Sequence, residues 1–378
     1  MSLTEEQIMI RDVARDFARK ELAPNAAEWD RTGHFPEAEI TRLGELGLMG
    51  MMIPEDWGGA GADHLSLALV MEEIAAGDAG VSTAVNMQNC VVTKPVYDWG
   101  TDDQKQRYLR KLVSAELRGA FMLSEPHTGS DASAIKTRAR LEGNKYVLNG
   151  NKQFITSGTT AHLAICFAVT DESAGKRGIS AFLVPTDAPG YRVLRTEVKL
   201  GQNTSDTCQV ALEDLELAPD MLLGELGQGY SIALANLECG RIAIAAQALG
   251  IARAAYEAAL AYAGERETFG QAIFEHQAVG FKLADMATEL EAARALIHHA
   301  ARLRDAGQPS IKEASMAKLF ASEMAERVCS AAIQVHGGYG YLRDFPVERH
   351  YRDVRICQIY EGTSEIQRLV ISRAIREE

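Results

Sequence analysis

One carboxylate stands out near the end of the chain, in the segment RICQIYEGTSEIQRLVISR of residues 355–373. Glu361 follows the apolar residues Ile359 and Tyr360 and precedes Gly362, after which the apolar spacing predicts a helix. Apolar neighbours withdraw a carboxylate from water and raise its pKa towards neutrality, which suits a general base. The alternative is a solvated acid near a helix start, where the helix dipole favours negative charge. The residues alone favour that alternative.

Three further stretches contain residues that can bind a ligand. They are the hydroxyl-rich loop LSEPHTGSDASA at 123–134, the segment GERETFGQ at 264–271, and the glycine-containing segment IQVHGGYGY at 333–341. Each also has an ordinary structural explanation, namely a turn, a solvated helix terminus and a helix stop. The glycines do not follow a strand in a G-x-G-x-x-G pattern, so no dinucleotide-binding Rossmann fold is indicated.

The bulk composition narrows the class of protein. With 378 residues, of which 47% are hydrophobic and 24% charged, we expect a globular protein of two or three domains. A formal net charge of −13 argues against a nucleic-acid partner, because phosphate binding needs a basic surface. None of the six cysteines has C-x-x-C or zinc spacing, so no metal site is expected. Reduced thiols, no signal-peptide pattern and no apolar run of about 18 residues predict a cytoplasmic protein without a membrane partner.

The elements that must position these residues change along the chain. Residues 1–116 show helical apolar spacing, residues 117–225 contain short alternating runs typical of strands, and residues 226–378 return to long helical patterns. Asn149-Gly150 within KYVLNGNKQFITSG predicts the turn of a β-hairpin. The patterns therefore predict an α+β fold of three domains with those boundaries, the middle one a small β barrel or sandwich.

Four segments together resemble the acyl-CoA dehydrogenase family, over essentially the whole chain. LSEPHTGSD and QVHGGYGYLRDFPVERHYRD are similar to its two signatures, NGNKQFITSG to its flavin-contacting strand, and IYEGTSEIQ to the segment carrying its catalytic glutamate. Met122, His127 and Thr128 depart from the small residues often found at those places in the family. The resemblance implies an N-terminal helical domain, a middle β-barrel-like domain and a C-terminal four-helix bundle, with non-covalently bound FAD and a homotetramer.

The resemblance assigns a reaction to Glu361. Its carboxylate would remove the pro-R α-proton of an acyl-CoA thioester while the β-hydrogen leaves as hydride to flavin N5. The products would be a trans-2-enoyl-CoA and electrons for electron-transfer flavoprotein. Some relatives carry the base on the helix of LECGRIAIAAQALG, where this chain has Gly240, so Glu361 is the expected base. That helix most resembles the short-chain members, which predicts a short acyl group.

The resemblance also implies sets of binding residues. Those matched to the flavin ring and the strand behind it are Phe121, Leu123, Ser124, Ser130, Phe154, Ile155 and Thr156. A second set matches the pyrophosphate, ribityl and adenosine parts of FAD: Arg266, Thr268, His276, Gln277, Gln334, Gly337, Gly338, Thr363 and Glu365. The first four of these match positions that a neighbouring subunit uses. Those matched to the acyl-CoA are Ser130, Glu238, Arg241, Tyr360, Gly362 and Arg373.

Three alternatives use the same fold. An acyl-CoA oxidase, or another thioester enzyme, would keep Glu361 but pass electrons to oxygen or expel a leaving group. A DNA-associated relative needs a basic face, which conflicts with a net charge of −13. A binding protein with a dead site conflicts with the presence of Glu361 and of the intact second signature.

Overall fold

The computed structural model describes residues 2–377 and begins with a helical domain. Its helices α1–α8 span Glu5–Phe17, Ala26–Thr32, Glu37–Glu45, His64–Gly77, Ala79–Asn86, Lys94–Trp99, Asp102–Gln104 and Arg110–Val113. A capping box, in which Thr4 and Gln7 exchange hydrogen bonds, fixes the start of α1. A π-helical segment, Met87–Thr93, directly continues α5. Such π-helical turns are often found at functional sites, and α5 is one of the helices that reach Glu361.

The middle of the chain forms one mixed eight-stranded sheet. Its strands β1–β8 span Gly119–Met122, Arg138–Glu142, Lys145–Thr156, Leu163–Val169, Ile179–Pro185, Tyr191–Thr196, Thr207–Leu217 and Leu222–Leu223. Seven of them lie in the order β6-β7-β3-β2-β4-β5-β8, and β1 pairs in parallel with β4. The central strands β4 and β5 are buried on both faces, whereas the edge strand β6 is exposed. The core of this domain therefore lies around β4 and β5.

The hairpin turn predicted at Asn149-Gly150 is wrong. β3 runs unbroken through that dipeptide, and the turn that joins it to β2 contains Gly143. β7 pairs with residues on both sides of the dipeptide, which keeps β3 extended, and the register shifts at Gly150. A Cβ at Gly150 would lie 2.4 Å from Thr137 Oγ1, so the glycine serves close packing within the sheet.

The rest of the chain is again helical. Helices α9–α13 span Gly229–Glu265, Gln277–Asp305, Ile311–His336, Val347–Val354 and Ser364–Glu377, and the hairpin strands β9 and β10, Glu267–Thr268 and Gln271–Ala272, connect α9 to α10. α9 contains a window apolar enough to cross a membrane, but 78% of it is buried inside the protein, as in the core helix of a soluble protein. One apolar core contains residues of α9, α10 and α11 together with α4 of the N-terminal domain. α9 is thus shared by the two helical domains.

The α+β architecture predicted from the sequence is confirmed, because a helical part, a sheet and a second helical part follow one another. The sheet ends at Leu223 and α9 begins at Gly229, so the structure changes near the predicted boundary at 225/226. The domain boundaries themselves, at 116/117 and 225/226, stay predictions. All six cysteines are buried and free, as expected.

A buried ion pair joins the loop after β1 to β3. Lys152 is fully buried, and its ammonium lies 2.9 Å from the carboxylate of Glu125. Lys152 also donates to the carbonyl oxygen of Phe167, and Glu125 accepts from the backbone N–H groups of Lys136 and Thr137. These hydrogen bonds compensate for the loss of hydration that burial imposes on both charges. The loop that contains Glu125 is thereby held against β3.

We predict that Lys152→Met destabilises the protein by about 3–5 kcal/mol, because it leaves the buried Glu125 carboxylate without a counter-charge. Lys145→Met is the matched control on the same strand. Lys145 pairs with Glu216 at the surface, where an ion pair contributes about 0–1 kcal/mol. Thermal unfolding of the two variants at matched concentration tests this difference. Equal Tm values for both variants would contradict a stabilising role for the buried pair.

Candidate functional site

Glu361 lies on a sharp turn between the 3₁₀ segment Arg355–Gln358 and α13. Its backbone has a φ of 50°, in the left-handed region, and Gly362 follows with a φ of 92°. α13 begins only after this turn, with the backbone N–H of Gln367 bonded to the carbonyl oxygen of Thr363. A left-handed backbone is strained for a residue other than glycine, and such strain is concentrated at functional sites. The turn directs the Glu361 side chain towards α5 and α9.

The carboxylate of Glu361 is enclosed by those two helices. Its Oε1 accepts a hydrogen bond from the amide of Asn86, the last residue of α5. Its Oε2 is buried and has no hydrogen-bond partner among residues 2–377. On α9, a Cβ at Gly240 would lie 1.7 Å from Oε2, so the carboxylate fills the space that any larger residue at that position would need. Glycine at position 240 therefore leaves room for the carboxylate in this position.

Burial raises the pKa of Glu361 to about 7, because the charged form loses its hydration. The hydrogen bond from Asn86 and the positive charges of Lys318 and Arg241 act in the opposite direction, and the Cys239 thiol adds to the increase. A carboxyl group with a pKa near neutrality can accept a proton and release it again at the same pH. A solvated acid at a helix start does not describe this side chain.

Arg241 and Lys318 bring positive charge to Glu361 from two different helices. Arg241 is buried on α9, and one of its nitrogens lies 3.3 Å from Ser315 Oγ. Lys318 is fully buried on α11 and donates to the carbonyl oxygen of Gly362 at 2.7 Å. The predicted substrate residues Arg241 and Gly362 therefore do lie beside Glu361.

Tyr360 and Gln247 enclose the same space farther along α9. The Tyr360 hydroxyl donates to the side-chain oxygen of Gln247, which is fully buried. The amide nitrogen of Gln247 lies 2.8 Å from the hydroxyl groups of Ser82 and Thr83 on α5. Gly240 and Gln247, at positions i and i+7, share one face of α9. A molecule that extends from Glu361 along this face therefore meets a polar network.

The other residues expected to bind the substrate lie farther away. Glu238 on α9 accepts from Ser310 and pairs with Arg304 at 2.9 Å. Ser130 and Arg373 are exposed, and within the described part of the chain no contact connects either of them with the Glu361 carboxylate. Their assignment stays a prediction.

Most of the residues expected beside a flavin ring lie at the ends of β1 and β3 and in the loop after β1. This second group contains Phe121, Leu123, Ser124, Phe154, Ile155 and Thr156. The backbone N–H of Gln153 donates to the carbonyl of Ser124 at 2.9 Å and joins the loop to β3. Phe154 has a φ of 59° and is 68% exposed, whereas the adjacent Ile155 is buried. An exposed aromatic side chain beside the hydroxyl groups of Ser124 and Thr156 fits a planar ring with apolar faces and polar edges.

The departures at the first signature lie in the loop and the sheet core. Met122 is buried in the core of the sheet domain. His127 is exposed, with Nε2 3.0 Å from the carbonyl oxygen of Ala134, and the Thr128 hydroxyl donates to the carbonyl of Asp131. These contacts order the loop itself.

A third group lies at the hairpin between α9 and α10. The side chains of Thr268 and His276 lie 3.0 Å apart, Gln277 begins α10, and Phe269 is 98% exposed. The guanidinium of Arg266 is also exposed and can meet a phosphate bidentately.

The Arg266 guanidinium lies 5.9 Å from the ring centroid of Tyr339, which follows Gly337 and Gly338 at the end of α11. A Cβ at either glycine would meet no atom within 4 Å, and Gln334 is exposed one turn earlier. The predicted pyrophosphate and adenosine residues thus share one open surface, where a nucleotide can approach the backbone closely. The exposed guanidinium and the open glycine backbone of this surface are chemically suited to the pyrophosphate of FAD.

Some of the predicted cofactor residues do not contact one another within the described part of a single subunit. Within residues 2–377, no described contact links the hairpin group to Glu361 or to the ring surface at Phe154. Thr363 and Glu365 lie at the N-terminus of α13, where a phosphate is favoured, and Thr363 Oγ1 accepts from the N–H of Ile366. That the hairpin group binds the FAD of a neighbouring subunit stays a prediction.

The sequence reasoning missed four residues of the Glu361 site, which are Asn86, Gln247, Lys318 and Gln367. A signal for two of them was present. Asn86 follows Ala84 and Val85 in the segment AGVSTAVNMQNCVV, which is rich in small and apolar residues, and Lys318 lies on the alanine-lined face of α11 with Ala314 and Ala321. A polar side chain at core spacing indicates a buried interaction, because burial without a partner is costly. The described residues contain no group of three or more metal-ligating side chains.

Comparisons with known proteins agree with this geometry. Three family models match the chain: the N-terminal, middle and C-terminal domains of acyl-CoA dehydrogenase, over residues 4–116, 120–215 and 227–376. The short-chain specific acyl-CoA dehydrogenase, mitochondrial, of Bos taurus is 48% identical over 372 residues, covering 98% of this chain and 90% of the relative.

Two solved structures superpose over the whole chain. A chain from work on the electron transferring flavoprotein of Acidaminococcus fermentans has a TM-score of 0.98 at 46% identity, with 100% of both chains covered. Butyryl-CoA dehydrogenase from Megasphaera elsdenii has a TM-score of 0.97 at 41% identity, covering 100% of this chain and 99% of that one. Because family models cover nearly all of the sequence and a relative reaches 48% identity, this chain belongs to the acyl-CoA dehydrogenase family.

Proposed function

We propose that this chain is a FAD-dependent acyl-CoA dehydrogenase in which Glu361 is the base. The observation that carries the proposal is the buried Glu361 carboxylate, held over Gly240 with one oxygen unpaired. The pKa of about 7 gives this group the proton affinity that a base needs at neutral pH. The reaction is the α,β-dehydrogenation of an acyl-CoA thioester to a trans-2-enoyl-CoA.

The cofactor FAD accepts the β-hydrogen with its electron pair when it is bound. Glu361 Oε2, which has no hydrogen-bond partner, takes the α-proton, while Asn86 holds Oε1. The electron pair of the broken α-C–H bond becomes the second bond between the α and β carbons. The positive charges of Arg241 and Lys318 favour the carboxylate form of Glu361 that accepts this proton.

Residues on the surface of the sheet domain hold the cofactor in this proposal. Phe154 would cover an apolar face of the flavin, and the hydroxyl groups of Ser124 and Thr156 would bond its polar edge. The exposed aromatic residues Phe269 and Tyr341 near the hairpin are 98% and 86% exposed in one chain. Large exposed apolar side chains mark interaction surfaces. This supports a homo-oligomer, a tetramer in the family's usual form, in which Arg266 reaches the FAD of a neighbouring subunit.

In this proposal Tyr360 and Gln247 limit the length of the acyl slot. The substrate α-carbon would lie at the Glu361 carboxylate, and the acyl chain would run along the face of α9 towards Gln247. Gln247 is buried in hydrogen bonds to Ser82, Thr83 and Tyr360, and an alkyl chain that displaced it would leave those groups unpaired. This supports a short acyl group, as does the similarity to short-chain specific and butyryl-CoA dehydrogenases.

The electron acceptor in this proposal is electron-transfer flavoprotein, supported by the near-complete superposition on the chain from Acidaminococcus fermentans. The six free, buried cysteines suit a reducing compartment and support a cytoplasmic location. The net charge of −13 supports the absence of a nucleic-acid partner.

We predict that Glu361→Gln retains FAD and acyl-CoA binding but slows flavin reduction by about 10² to 10⁴-fold, because the amide cannot accept the α-proton. The measurement is the anaerobic rate of flavin bleaching with the best acyl-CoA. Glu257→Gln, at an exposed position on α9, is the control and keeps the wild-type rate. A loss below about tenfold at equal FAD content would assign the proton to another residue.

We predict that kcat/KM rises with pH through a midpoint near 7. Below that pH Glu361 carries a proton and cannot accept another, and above it the carboxylate is free. Because kcat/KM reports the ionisation of the free enzyme, a decrease of about fivefold is expected between pH 7 and pH 6. The profile of Glu257→Gln follows the wild type. A flat profile between pH 6 and pH 8 would exclude Glu361 as the titrating group.

We predict that kcat/KM is highest near butyryl-CoA and that Gln247→Ala shifts the preference to longer chains. Each additional CH₂ that finds an apolar slot contributes about 0.8 kcal/mol, or about fourfold in kcat/KM. The ratio of octanoyl-CoA to butyryl-CoA kcat/KM, measured at equal FAD content, increases in the variant. Gln228→Ala, at the start of α9, leaves the ratio unchanged. A wild-type kcat/KM that increases with chain length up to dodecanoyl-CoA would contradict this prediction.

A further inference from the structure

We propose that Lys318 is a positioning residue for the base. Its buried ammonium fixes the Glu361–Gly362 turn through the Gly362 carbonyl and keeps a positive charge beside the Glu361 carboxylate. The inference rests on the proposed role of Glu361 and adds a residue of α11, outside the four segments that carry the family resemblance.

The turn is held from two helices. Lys318 Nζ donates to the carbonyl oxygen of Gly362 at 2.7 Å. Gln367 on α13 donates to the same oxygen at 2.9 Å and to the carbonyl of Glu361 at 3.3 Å. Both backbone residues have positive φ angles, so this conformation persists only because its surroundings fix it. Lys318 and Gln367 are those surroundings.

A neutral hydrogen-bond donor would satisfy the Gly362 carbonyl, so the presence of a charged lysine there needs an explanation. Lys318 is fully buried, and within residues 2–377 its ammonium donates to the carbonyl oxygen of Gly362 and forms no ion pair with a carboxylate. Burying a charge without a close counter-charge is costly. Burial accordingly lowers the pKa of Lys318 to about 8. An unpaired buried cation that persists at such a cost is typical of a functional site.

The charges around the pair define what the cation does. Glu361 faces Asn86 from α5, Cys239 and Arg241 from α9, and Lys318 from α11. Lys318 in turn faces Arg241, which opposes its charge, and Glu361, Glu365 and the Cys357 thiol, which favour it. Lys318 therefore favours the carboxylate form of Glu361, and its removal raises the pKa of Glu361 further.

Three substitutions separate the charge from the hydrogen bond. Lys318→Met removes both, Lys318→Gln removes the charge and keeps a donor, and Lys318→Arg keeps the charge. With Met or Gln, kcat/KM at about pH 6.5 falls about threefold to tenfold and recovers towards wild type at about pH 8.5. With Arg the midpoint of the profile stays in place. Ser322→Ala is the matched control, because Ser322 is buried on α11 and its hydroxyl donates within that helix, to the carbonyl oxygen of Leu319.

A second readout needs no turnover. Infrared titration of the substrate-free holoenzyme follows the carboxyl band that disappears in Glu361→Gln. In the Met and Gln variants this band titrates at higher pH than in wild type, and in Ser322→Ala it does not move. FAD content of every variant is measured in parallel. If the Met variant does not fold, the Gln variant supplies the same comparison.

The outcomes separate this inference from the function on which it rests. Flavin reduction at the wild-type rate in Glu361→Gln would contradict the proposed function. Loss of activity in Glu361→Gln, together with a Glu361 titration that the Met and Gln variants leave unmoved, would overturn the role of Lys318 alone. A decrease in kcat/KM that is the same at every pH would also overturn it. So would a pH midpoint that shifts as far in Lys318→Arg as in Lys318→Met, since both results indicate that packing matters and charge does not.

Discussion

The close contact between the Glu361 carboxylate and Gly240 is the constraint on which the rest of the site depends. A Cβ at position 240 would lie 1.7 Å from Oε2, so a side chain there would force the Glu361 carboxylate out of its present position. The absence of a side chain at position 240 therefore lets the carboxylate lie against the backbone of α9. Because the carboxylate lies against the backbone of α9, that helix also removes it from water and gives it the proton affinity of a base.

α9 meets this constraint because glycines let it approach its neighbours closely. A Cβ at Gly250 would lie 2.2 Å from the carbonyl oxygen of Glu72 on α4, and one at Gly229 would lie 2.5 Å from the backbone of Ser180 on β5. The helix is thus fixed against the sheet at its start and against the N-terminal domain farther along. A helix fixed at both places holds Gly240 in one position, which a site on a mobile loop would not do.

The order of helices and strands follows from local patterns, and most of the architecture was predictable. The error at Asn149-Gly150 shows where local patterns end: the dipeptide suits a hairpin turn, but pairing with β7 on both sides makes it part of a strand. At the site, Glu361 was predictable from its motif, whereas Asn86 and Lys318 come from segments far away in the sequence. Their role depends on which helices pack together, and no spacing rule within one segment contains that information.

The proton affinity of Glu361 is set by opposing contributions, and the unpaired oxygen explains their balance. Burial favours the protonated form, while the Asn86 hydrogen bond and the cations Lys318 and Arg241 favour the carboxylate. A second hydrogen bond, to Oε2, would stabilise the protein, since an unpaired buried polar atom costs about 1–3 kcal/mol. It would also lower the pKa and occupy the lone pair that accepts the α-proton in the proposed reaction. In the proposed function, the unpaired Oε2 is the atom that accepts the proton, and its lack of a protein partner is the cost of keeping it available for substrate.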